Sequence, residues 1–127
     1  MSERSSSETT TNALSQAADG LNDALDRCAA TLRAKLGSHA RTEAWISFDN
    51  DCDLGWAHFD LGVTWDFACR DDTGNVTRLT SMSLTTRLFA TERLNDLGRA
   101  ITEAADLRVT QVRGATERVN EFREKIK

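Results

Sequence analysis

Three patterns in the 127-residue sequence predict an α+β domain: a helix, a three-stranded antiparallel meander and a long C-terminal helix. An apolar seam at helical spacing runs from Leu14 to Leu32. Strict two-residue alternation runs from Ala57 to Cys69. A second helical stripe runs from Leu94 to Ile126.

Residues 1–11 are Ser-, Thr- and Glu-rich with one apolar side chain, too little greasy surface to repay ordering, and they read as a disordered tail. The remaining residues, 12–127, read as one domain. Asn12 suits an N-cap. Behind it Leu14, Ala18, Leu21, Leu25, Cys28 and Leu32 follow one another at steps of three and four, and Gly37 supplies a stop.

In the middle, the odd positions Ala57, Phe59, Leu61, Val63, Trp65, Phe67 and Cys69 are all apolar. This is the period of a strand with one buried face, long enough that a bend or bulge at Gly62 is expected. A shorter strand precedes it, with Ala44, Ile46 and Phe48 alternating against Trp45 and Ser47. A turn at residues 71–75 leads to a third strand from Val76 to Leu84. If the odd face is core, then Trp45, Ser47, Trp56, His58, Asp60 and Asp66 share the outer face. Trp45, Trp56, His58, Asp60 and Asp66 are therefore the candidate partner-binding residues, because tryptophan among polar groups is a favoured recognition element. The alternative is that something covers this face and the tryptophans are structural.

From Thr85 or Thr91 the helical period returns through Leu94, Leu97, Ile101, Ala105, Val109, Val112, Thr116, Val119, Phe122 and Ile126. Unbroken from Thr91, such a helix is about 54 Å long. A compact chain of this size is only about 36 Å across. Either residues 91–127 form two helices, with a break near Gly98 or within 106–114, or the far end meets another surface. The continuing stripe favours the second. It makes Val109, Val112, Val119, Phe122 and Ile126 the expected interface of a homodimer. The element order is similar to that of dimeric nucleoid-associated proteins and, more loosely, of the acidic chaperones of type III secretion. That likeness implies assembly as a dimer.

Charge and composition narrow the function classes. The net charge is −4, yet residues 38–85 hold three arginines against eight acids, a balance of −5, while residues 86–127 stand at +2. No basic cluster of the kind that drives DNA binding is present, so a protein partner, with a basic one suited to the acidic middle segment, fits better than nucleic acid. There is no apolar run of membrane-spanning length and no signal-peptide core near Met1. Cys28, Cys52 and Cys69 form no C-x-x-C pair, which fits a reducing, cytoplasmic setting.

No nucleophile motif or phosphate-binding glycine loop is present, and His39 and His58 lie apart in the sequence. The expectation is a non-enzymatic interaction protein (adaptor, chaperone or inhibitor) without cofactor. The alternatives are a nucleoid-type DNA binder using Arg108, Arg113, Arg118 and Arg123, or a small-ligand or metal module. The acidic run from Asp49 to Gly55 is the nearest approach to a Ca²⁺ loop. It departs from that pattern at Leu54 and Asp60, and no metal is expected.

Overall fold

A computed structural model of the chain describes residues 2–37, 42–49, 51–62 and 64–127, with side chains from Thr9 onward. His39, placed beyond the first helix, and Val63, assigned to the buried strand face, lie outside the described residues. In order, the elements are α1 (Ser2–Leu36), β1 (Ala44–Asp49), β2 (Cys52–Phe59), β3 (Thr64–Asp71), β4 (Val76–Arg78), one 3-10 turn (Leu79–Ser81), α2 (Leu84–Glu92) and α3 (Leu94–Lys125). The four strands form an antiparallel meander in the order β1-β2-β3-β4.

The expected long strand is a hairpin. Asp60, Leu61 and Gly62 all have left-handed φ (53°, 58° and 88°), and the Gly62 N–H donates to the Phe59 carbonyl at 3.1 Å. A left-handed φ is unfavourable for the non-glycine pair and is paid at a tight reversal. The reversal has a consequence for parity. Phe59 pairs with Thr64, Trp56 with Phe67 and Leu54 with Cys69, so even positions on β2 share a face with odd positions on β3. The sequence alternates without interruption while the chain changes direction across a four-residue loop.

Trp56 therefore lies in the core, 1% exposed and edge-on to Phe67 at 5.2 Å, and not on the outer face where the alternation put it. Leu61, expected to be buried, stands fully exposed at the hairpin tip. The third strand is also shorter than expected. β4 ends at Arg78, and the Ser/Thr-rich stretch after it forms a turn and then a helix whose N-cap is Ser83, which accepts from the Thr86 N–H at 3.2 Å.

One face of the sheet carries the core. Ala44, Leu54, Trp56, Trp65, Phe67 and Cys69 pack with Leu25 and Ala29 of α1 and with Leu97 and Ile101 of α3. The α1 seam holds at Leu21, Leu25, Leu32 and Leu36, but at the middle turn Ala29 is buried and Cys28 is exposed. Leu14 is exposed, so the first half of α1 reaches beyond the sheet. Arg33 caps a free strand edge, its Nη1 donating to the Trp65 carbonyl at 2.6 Å.

α3 does not break. It follows α2 after a kink at Arg93 and runs without interruption for 32 residues, about 48 Å. Its first residues lie near Phe48 and Asp49, where Arg93 and Glu92 help line a hollow of about 250 Å³. It then packs along β1, a six-residue strand spanning only about 20 Å. Its last sheltered side chains are Ala104 and Ala105; from Asp106 on, every residue but Gly114 is exposed. No helix among the described residues is long and apolar enough to cross a membrane.

Candidate functional site

The solvent face of the sheet is built in rows. Trp45, Gly55, Ala68 and Arg78 lie opposite one another across the four strands, and Ser47, Asp53, Arg70 and Val76 form the next row. Trp45 lies flat across Gly55. A Cβ on Gly55 would stand 2.2 Å from Trp45 Cε3, so only glycine permits this close approach. The Arg70 guanidinium sits 4.2 Å from the Trp45 ring centre and forms an ion pair with Asp53 at 3.0 Å. At the other end of the face Arg78 covers Phe59 at 4.9 Å and reaches Asp60 at 3.1 Å and Asp66 at 3.7 Å.

Of the candidate residues, Trp45 and Asp66 share this face, and Asp60 joins them from the hairpin turn. Trp56 and His58 point to the opposite side. His58 is half exposed at the sheet end, 3.3 Å from Glu43 and edge-on to Trp65 at 5.4 Å. The sequence-based patch is thus split between two faces. Arg70 and Arg78, which complete the outer face, were not among the candidates. Their signal was in the pairing, since Asp53 opposes Arg70 once the hairpin is recognised. The acids of this face already meet arginine, so its surface is less electronegative than the segment's charge of −5 implies.

Two predictions arise from this face. Gly55→Ala must displace the Trp45 ring and uncouple it from Arg70. A loss of about 2 kcal/mol is expected, within the range for overpacking, read as a lower urea midpoint with unchanged slope. The second concerns Asp66, a buried acid whose Oδ1 accepts from the Phe67 N–H at 2.8 Å. Burial raises its carboxyl above the ordinary value, against the lowering effects of that hydrogen bond and of Arg78 and Arg33. The folded state therefore holds the proton more tightly than the unfolded chain. This group destabilises the fold above its raised pKa and stops doing so as pH falls through it. Asp66→Asn, which keeps the acceptor, is expected to be the more stable protein at neutral pH. Its advantage should shrink on acidification, as measured by urea titrations at pH 7 and pH 4.5.

In the acidic loop, Asp49 Oδ1 accepts from the Asp51 N–H at 2.9 Å, closing the tight β1–β2 connection. Asn50, at the centre of that loop, lies outside the described residues. Among the described residues no three metal-ligating side chains converge. Between α1 and α3 lies an apolar groove of about 220 Å³ floored by Phe67, with Cys28, Leu32 and Gly98 along its walls.

Among the described residues, α3 carries a run of exposed large apolar side chains. Val109, Val112, Val119, Phe122 and Ile126 are between 45% and 67% exposed, and Leu107, on another side of the helix, is 60% exposed. All five predicted interface residues lie on the part of the helix that has left its own sheet. No family model, curated protein or solved structure matches this chain.

Proposed function

We propose that this chain is a non-enzymatic interaction protein that works as a homodimer through the free half of α3. The observation that carries the proposal is the stripe of Val109, Val112, Val119, Phe122 and Ile126, exposed in the single chain. Fully burying an aliphatic or aromatic side chain yields about 1.5–3 kcal/mol, so each of these partly exposed residues offers roughly 1–2 kcal/mol. Ten of them, from two chains, amount to roughly 10–20 kcal/mol before association costs of about 4–15 kcal/mol. A second copy is thus a sufficient partner. It is also self-complementary, since the same stripe serves both sides of a two-fold interface.

The outer sheet face, with Trp45 held between Gly55 and Arg70, is the surface we assign to a further protein partner. It is rigid and aromatic, as recognition surfaces tend to be. Its buried neighbour Trp56 belongs to the core and is no part of that role.

Co-expression of a tagged and an untagged copy tests the dimer. The tagged chain should retain its untagged twin through stringent washing, and a tagged Val119→Asp chain should not. Failure of the wild-type pair to co-purify at micromolar concentration overturns the proposal.

A further inference from the structure

Two of the three thiols meet in the interior. Cys52 on β2 pairs across the ladder with Asp71, and Cys69 on β3 pairs with Leu54, which puts the two cysteines on one diagonal of the same strand pair. Both face the helices: Cys69 belongs to the core cluster and Cys52 packs against it. The two thiols are near enough to perturb each other's ionisation, and the Cys52 Sγ donates to the Asp53 carbonyl at 3.6 Å. Diagonal neighbours on a sheet face sit about 7–8 Å apart, slightly beyond the usual disulfide span of about 4.4–6.8 Å between Cα atoms, so closure draws β2 and β3 together locally. Cys28 stands apart, exposed on α1.

We propose that Cys52 and Cys69 form an oxidation site that closes to a disulfide across β2 and β3, leaving Cys28 as the free thiol. With a disulfide oxidant such as oxidised glutathione, the half-exposed Cys52 loses its proton to solvent and attacks one sulfur of the oxidant. This forms a mixed disulfide and expels one glutathione thiolate. The Cys69 sulfur then attacks Cys52 Sγ and gives up its proton, and the second glutathione thiolate leaves. Two protein thiols are oxidised and one oxidant disulfide is reduced to two thiols. The step should be slow at neutral pH. Burial pushes the Cys69 thiol up to about 12, with the nearby Cys52 and Asp49 adding to the effect, and burial also raises Cys52, helped by Asp49 and Asp53.

The closed loop spans the whole β2–β3 hairpin, with Leu61 at its tip. Loops of about that length are stabilised appreciably by closure, so the oxidised protein is expected to melt roughly 5–15 °C higher.

The test is prolonged incubation of the full chain with oxidised glutathione or diamide, followed by thiol titration in denaturant, intact mass and melting temperature. We expect titratable thiols to fall from three to one, the mass to fall by the two hydrogens lost, and the melting temperature to rise. Cys28→Ser should fall from two thiols to none. In Cys52→Ser and Cys69→Ser the melting temperature should stay unchanged on oxidation. Retention of all three thiols, a stable glutathione adduct on Cys52 without closure, or pairing only between Cys28 residues of two chains would each overturn the proposal.

Discussion

Trp56→Ala is expected to lower the unfolding free energy by about 3–5 kcal/mol, the usual cost of emptying a fully buried aromatic site. With a urea slope of 1–3 kcal/mol/M, the midpoint should fall by roughly 2 M or the variant should fail to fold. The reason lies in the neighbourhood. Trp56 is packed against Phe67 in the core face shared by Leu54 and Cys69. Trp45→Ala removes a half-exposed ring and one guanidinium contact, so about 1–2 kcal/mol is expected there. Urea titrations of the two variants side by side separate the roles. Equal, small losses would mean that Trp56 is not the core residue the fold makes it.

That contrast also shows where sequence reasoning reached its limit. Alternation placed Trp65, Phe67 and Cys69 of β3 on the core face, but it put Trp56 of β2 outside because it does not show that the strand turns back on itself. Periodicity records the parity of positions along a chain. It is blind to a four-residue reversal that preserves that parity while swapping the faces of the paired strands. The local sign was Asp60-Leu61-Gly62, where two ordinary turn residues flank an apolar one that fits the strand pattern. The stretch after Arg78 misled for another reason. Its Thr and Ser residues suit a strand, but Ser83 spends its hydroxyl on capping α2. The helices were easier to see, because a 3.6-residue period kept up for many turns has few competing explanations. α3 runs through Gly98 and Gly114 with its hydrogen-bonded ladder intact, and the stripe continues into solvent.

Val112→Asp combined with Val119→Asp should abolish self-association, weakening it by at least about a thousandfold, while leaving the folded chain nearly untouched. In the single chain both positions are exposed on a helix that has left the sheet, and valine and aspartate have similar helix propensities, so each change should cost no more than about 0.5 kcal/mol. In a dimer the same two changes bury four carboxylates without counter-charge, and stranded buried charge costs about 3–5 kcal/mol per site. The pairing of unchanged circular dichroism with lost association is the signature of an interface. A variant that unfolds as well would mean that the stripe packs on its own domain.

We propose that the α3 helix, about 48 Å long on a sheet about half that length, is covered where it overhangs by a second molecule. Light scattering coupled to size-exclusion chromatography, over a concentration series through the micromolar range, measures this directly. The wild-type chain should show twice its monomer mass, dissociating only on dilution, and the Val112→Asp/Val119→Asp chain should show the monomer mass throughout. A wild-type chain that stays at the monomer mass across the series would contradict the account.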